Sequence, residues 1–157
     1  WLGPVKSLMA SGKIFSGLKD YNGTARPVDI PEHLNILAQL DNGAEAHLQF
    51  SSVSALEDYP QSIWIFGSDG TAHFDLKNDQ LLLGKKGDTE LHIHNFTPPA
   101  GAIWRVEEEF INAIRGQEKI KLTDFDTALQ YMKFTEAVTL SLQQDKRIHL
   151  SNLGTLL

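Results

Sequence analysis

His33-Leu34-Asn35-Ile36-Leu37-Ala38-Gln39-Leu40-Asp41-Asn42-Gly43-Ala44-Glu45-Ala46-His47-Leu48-Gln49-Phe50 is the stretch that decides the fold. Leu34, Ile36, Ala38 and Leu40 alternate with His33, Asn35, Leu37 and Gln39, the period of a strand with one buried face. Ala44, Ala46, Leu48 and Phe50 repeat the pattern against Glu45, His47, Gln49 and Ser51. Asn42-Gly43 between them is a hairpin signal, because a tight two-residue turn needs positive φ at both positions. The stretch therefore predicts an antiparallel hairpin with one apolar face.

Outward from this hairpin the pattern continues. Gln61 to Phe66 and Thr71 to Asp75 flank Gly67-Ser68-Asp69-Gly70 and predict a second hairpin. Shorter strands are expected at Gln80 to Gly84 and Glu90 to His94, and another at Val5 to Phe15. Ser16 to Pro31, rich in Gly, Asp, Asn and Pro, reads as a long loop of the kind that carries function or moves.

The last third changes period. Ile103, Val106, Phe110 and Ile114, with Ile111 and Ala113 beside them, predict an amphipathic helix ended by Gly116. A second helix is expected from Thr123 or Asp124, both good N-caps. Its stripes, Phe125, Ala128, Leu129, Met132, Leu140 and Tyr131, Phe134, Val138, Leu142, predict burial on more than one side. Arg147 to Leu150 can add a last strand. Strands followed by helices predict an α+β domain, a largely antiparallel sheet with helices packed on one face. The other face is then open. It carries His33, Asn35, Leu37, Gln39, Glu45, His47, Gln49, Trp64 and Phe66, a polar and aromatic mixture suited to oligomerisation. An ordinary solvated face with stray aromatics is the bland alternative.

Composition bounds the function. At 157 residues the chain predicts one domain, 1–157. Lys and Arg number 14 against 20 Asp and Glu, so the net charge is 14 − 20 = −6, which argues against nucleic acid and anionic membrane surfaces. Cys is absent, removing disulfides and thiolate chemistry. The longest apolar run, Ile63 to Phe66, falls far short of the ~20 residues of a membrane span. The start, Trp1-Leu2-Gly3-Pro4, lacks both a signal peptide and an initiator Met, so the sequence reads as a piece of a longer, cytoplasmic protein.

Few motifs carry chemistry. His92 and His94 share a strand face, but two imidazoles alone rarely hold zinc, and no metal is expected. Glu107 to Glu109 point in different directions from a helix and suit its N-terminal dipole better than acid–base work. Gly67 with Gly70 and Gly84 with Gly87 lie in turns, without the strand-to-helix context of a dinucleotide fingerprint.

In order and spacing, four phrases resemble the C-terminal domain of the glucose-fructose oxidoreductase, inositol dehydrogenase and MocA family. They are Leu37-Ala38-Gln39-Leu40-Asp41-Asn42-Gly43-Ala44, Ile63-Trp64-Ile65-Phe66-Gly67-Ser68-Asp69-Gly70-Thr71, Val106 through Gly116, and Phe125-Asp126-Thr127-Ala128-Leu129 followed by Thr135 to Val138 and Ser141. The resemblance implies an NAD(P)-dependent dehydrogenase of sugars, polyols or related secondary alcohols. In it this domain closes the substrate pocket and forms a dimer or tetramer through its open sheet face. The nucleotide-binding N-terminal domain lies outside the chain, so NAD(P) is expected in the full-length protein and not on this domain alone. The family's Glu-Lys-Pro segment and its Asp and His pair are absent here, so no catalytic residue carries over. The family often places an aromatic residue near the substrate where Trp104 stands; Lys13, Asp20 and Arg26 are further pocket candidates for a small sugar-like substrate. A non-catalytic oligomerisation or sugar-binding module is the alternative.

Overall fold

Two Asn-Gly pairs in this chain make two different turns. The computed structural model describes residues 2–55, 61–95, 104–120 and 124–154. In it Asn22 and Gly23 both adopt positive φ, 52° and 80°, and join β2 (Leu18–Tyr21) to β3 (Thr24–Pro27) directly across the turn. The segment expected as a long loop is thus a two-residue hairpin, and its signal was this Asn-Gly. At Asn42-Gly43 only Gly43 has positive φ, 88°. The Gly43 N–H bonds the Leu40 carbonyl and the Leu40 N–H bonds that of Ala44, the pattern of a three-residue loop closed by a bulge. The expected hairpin forms, with a different turn.

The described residues group into two compact units, residues 1–53 with 105–157 and residues 54–104. In the first, β1 (Val5–Lys13), β4 (His33–Leu40), β5 (Glu45–Ser51) and β10 (Ile148–His149) form a four-stranded antiparallel sheet in the order β10-β1-β4-β5. Helix α2 (Phe125–Gln144) packs on β1, and a short 3₁₀ turn (Leu150–Asn152) ends the described chain nearby. Leu8, Ala10, Ile36, Ala38, Ala137, Val138 and Ile148 are the core between them. Fully burying a side chain such as Leu8 or Ile36 is worth roughly 1.5–3 kcal/mol.

Hydrogen bonding completes this packing. β10 pairs only with Ser7 and Leu8 of β1, and further along the Ala10 N–H donates instead to the Ser141 hydroxyl of α2 at 2.9 Å. That hydroxyl donates in turn to the Lys146 carbonyl at 2.7 Å. Ser141 is fully buried, so a helix side chain continues a sheet edge where the strand stops. The Asp124 carboxylate caps α2 by accepting the Thr127 N–H at 2.6 Å.

In the second unit, β6 (Ser62–Phe66), β7 (Gly70–Asp75), β8 (Gln80–Lys85) and β9 (His92–Ile93) form a four-stranded antiparallel meander. The α+β class and the antiparallel pairing are as expected. One sheet is not: Trp64 and Phe66, placed by sequence on the face with His33 and Leu37, belong to this second sheet. A shared face would need β6 to join the first sheet, whereas β5 pairs with β4 and β6 with β7 in a sheet of its own.

The helices depart from expectation as well. α1 (Val106–Ile114) forms after Arg105, but its apolar stripe is exposed: Phe110, Ile111 and Ile114 face solvent and Glu109 is buried. On α2 the C-terminal half is packed, while Phe125, Tyr131 and Met132 are exposed, so the helix is buried along one side of one half. No helix among the described residues is long and apolar enough to cross a membrane.

Candidate functional site

Pro31 delivers Glu32 to the start of β4 with its side chain turned inward, 5% exposed. Its backbone anchors both neighbours: its N–H donates to the Lys13 carbonyl and its carbonyl accepts from the Ser52 N–H. One carboxylate oxygen accepts the Phe15 and Ser16 N–H groups at 2.7 and 2.8 Å. The other accepts the Ser16 hydroxyl and meets the Lys19 ammonium at 2.8 Å. The Lys19 bond foremost, then those from Ser16 and Phe15, hold the Glu32 carboxyl at about 2. A dent of about 260 Å³ adjoins this ion pair, lined by Lys19, Asp29, Ile30, Pro31, Glu32 and Ser52 among others.

Of the sequence-predicted pocket residues, Lys13, Asp20 and Arg26 lie on the elements around this point without lining the dent. Lys13, at the end of β1, holds its ammonium 5.8 Å from the centre of the Phe15 ring. Asp20 accepts the Gly23 N–H at 3.1 Å and so serves the β2–β3 turn. Arg26 lays its guanidinium 4.9 Å over Tyr21. The hairpin thus pairs Arg26 with Lys19 across the strands, while Asp20 stands on its other face. Trp104 belongs to the other unit, precedes α1 rather than lying in its first turn, and is 79% exposed. Glu32 and Lys19 went unnoticed in the sequence. A lone acid between a proline and an apolar alternation was the available signal.

The face of the first sheet opposite α2 is built in cross-strand rows. Met9, Leu37 and His47 stand in register on β1, β4 and β5, with Leu37 54% exposed. Ser11, Asn35 and Gln49 form the next row, and Lys13, His33 and Ser51 the one after. Gln39 and Glu45 pair on the other side, so polar groups rim an apolar centre. Asn35 Nδ2 lies 3.0 Å from His33 Nε2, fixing both side chains in this rim. In the second sheet Trp64 stacks on His73 across the strands, ring centres 3.9 Å apart, and on Phe66 at 5.9 Å.

The two helix N-termini differ: a carboxylate caps α2, and no side chain caps α1. Asp124 fills the first turn of α2. At α1, Arg105 forks onto Glu108 at 3.0 Å and reaches Glu118 at 3.2 Å. That fork holds the Glu108 carboxyl low and the guanidinium charged. A dinucleotide needs a free helix N-terminus after a glycine-rich strand turn. Every strand pairing among the described residues is antiparallel and neither helix meets that need, so these residues do not fit the nucleotide. Among the described residues no group of three His, Asp or Glu is placed to hold a metal, His92 and His94 included.

No family model and no curated protein matches the chain. Solved structures do. Levoglucosan dehydrogenase in complex with NADH and L-sorbose aligns over 94% of this chain and 45% of its own, with a TM-score of 0.75 at 16% identity. An NAD binding oxidoreductase from Klebsiella pneumoniae aligns over 94% and 46%, with a TM-score of 0.71 at 15% identity. The WlbA dehydrogenase from Bordetella pertussis, in complex with NADH and UDP-GlcNAcA, aligns over 94% and 39%, with a TM-score of 0.65 at 19% identity. The shared property is the fold. These neighbours are NAD-binding oxidoreductases of the glucose-fructose oxidoreductase, inositol dehydrogenase and MocA type, as the sequence phrases had implied. The chain spans less than half the length of each.

Proposed function

We propose that this chain is the substrate-side and assembly half of an NAD(P)-dependent dehydrogenase acting on a secondary alcohol of a sugar, polyol or related compound. The observation that carries the reading is the match of almost the whole chain to under half of dehydrogenases seen with NADH and a sugar or sugar nucleotide. NAD(P) when bound supplies the hydride acceptor, and the described residues do not fit it, so its site belongs to the rest of a cytoplasmic full-length protein. This half closes the substrate pocket; Lys13, Asp20 and Arg26 of the first unit and, separately, Trp104 of the second are the side chains offered to a sugar-like ligand. An aromatic face suits the C–H side of a sugar ring, and the charged groups suit its hydroxyls. The open face centred on Met9 and Leu37 joins copies into a dimer or tetramer, which its apolar centre and polar rim support. Trp64 and Phe66, on the second sheet, are separate candidates for assembly.

NADH titration, followed by nicotinamide fluorescence, tests this. The full-length protein is expected to bind NADH and to reduce NAD(P) in the presence of a sugar or polyol, and the 157-residue chain to do neither. Micromolar NADH binding by the chain alone contradicts the division of labour. A full-length protein that ignores nicotinamide nucleotides supports the non-catalytic module instead.

A further inference from the structure

The two Asn-Gly pairs differ in chemistry as well as in turn type. An asparagine followed by glycine can close on itself: the glycine nitrogen attacks the asparagine Cγ and ammonia leaves, with no side chain on the glycine to hinder the approach. Closure needs an unheld side-chain amide, a backbone that can rotate, and a group to take the proton of the attacking nitrogen.

At Asn42 all three are withheld. Its Nδ2 donates to the Leu2 carbonyl at 2.9 Å and its Oδ1 accepts the Ala44 N–H at 3.0 Å, so both ends of the amide are held. The Gly43 N–H donates to the Leu40 carbonyl at 3.0 Å, an acceptor that is no base. The turn joins β4 to β5 inside the four-stranded sheet, so rotation there works against the core. At Asn22 all three are present. Its side-chain amide has no hydrogen-bond partner among the described residues. Its turn joins two strands that pair only with each other, an arrangement marginal in water. The Gly23 N–H donates to a carboxylate oxygen of Asp20 at 3.1 Å, within the reach of a general base.

We propose that Asn22-Gly23 is a site of self-modification, at which the protein converts its own asparagine to aspartate and isoaspartate with Asp20 as the base. Asp20 takes the Gly23 proton as the Gly23 nitrogen bonds to Asn22 Cγ. The Cγ–Nδ2 bond breaks, and the amide nitrogen leaves as ammonia with that proton, giving a cyclic imide. Water then adds to one of the imide carbonyls. Opening at the side-chain carbonyl gives aspartate; opening at the main-chain carbonyl gives isoaspartate, whose backbone runs through the side-chain carbons. Isoaspartate lengthens the two-residue turn by a methylene, so the pairing of Tyr21 with Thr24 is lost and the hairpin loosens.

Peptide mapping by mass spectrometry, on protein held in warm, mildly alkaline buffer, tests the proposal. The peptide containing Asn22 is expected to exchange NH2 for OH, in two chromatographic forms, more than about tenfold faster than that containing Asn42. In urea, where both turns are open, the two rates should fall within about threefold of each other. Asp20→Asn keeps an acceptor for the Gly23 N–H but cannot take its proton, so it is expected to slow conversion at position 22 by about tenfold or more. Folded protein in which Asn42 converts as fast as Asn22, or in which neither converts, overturns the proposal. So does a difference that persists in urea, since local sequence and not the fold would then set it. An unchanged rate in Asp20→Asn overturns the role of Asp20 as base.

Discussion

The ammonium of Lys19 stands 2.8 Å from a carboxylate oxygen of Glu32, tying the β2–β3 hairpin to the start of β4. Residues 11–27 are all exposed, and a two-stranded hairpin is marginal by itself in water, so this pair and the Phe15 and Ser16 amides are the anchors of the arm. Its stability should depend on acid. The Glu32 carboxyl is held down from 4.5 to about 2, so the bonds are complete above 4.5 and are lost as pH falls through the interval to about 2. Amide exchange at Phe15 and Ser16 is expected to rise across that window. In Glu32→Gln it should already be fast at pH 6, with the acid dependence gone. Slow exchange in the variant would show that the arm is anchored elsewhere.

Ser141→Ala is expected to destabilise the chain by about 1–3 kcal/mol, the range for leaving a buried partner unsatisfied. The substitution strands the Ala10 N–H beyond the end of β10 and the Lys146 carbonyl beyond α2. Urea unfolding should show a lower midpoint with an unchanged slope. An unshifted midpoint would mean that water serves the edge equally well.

Gly12 is a strand residue whose missing side chain is the point. A Cβ there would sit 2.8 Å from the Pro31 ring and 3.2 Å from a Leu142 methyl. The ring cannot turn aside, so Gly12→Ala should cost about 1–3 kcal/mol through overpacking. Thermal melting checks this, and a neutral result would require Pro31 to shift and carry Glu32 with it.

Leu37→Arg places a charge at the centre of the open face without touching the core, because Leu37 points away from Ile36 and Ala38. The variant should keep its circular dichroism spectrum and melting temperature and lose self-association by light scattering. Trp64→Lys makes the same test on the second sheet. A parent chain that is monomeric at high concentration, or variants that still associate, would move the assembly surface elsewhere.

Element types and most boundaries were legible because they follow from local chemistry: period-two alternation in β4 and β5, the Asp124 cap of α2, the glycine turn before β7. The β2–β3 hairpin was legible too, in an Asn-Gly outweighed by the polar residues around it. Gly12 is out of place in a strand by local preference, and nothing in sequence shows that Pro31 packs over it. The candidate site was the least legible part. Glu32 and Lys19 matter through partners 13 to 17 residues apart in the chain, brought together by a fold-back that no periodicity encodes.

By itself the sequence determined the class, the strand and helix periods, the absence of cysteine chemistry and the likeness to one family of oxidoreductases, since residue order alone carries these. Tertiary structure decided which sheet Trp64 joins, which helix side chains stay exposed and which carboxylates are buried. Alternation shows that a side chain has an inside and an outside. Only the packed neighbours show what lies on each side, and for α1 and the start of α2 the apolar side carries the exposed Ile114, Phe125 and Met132.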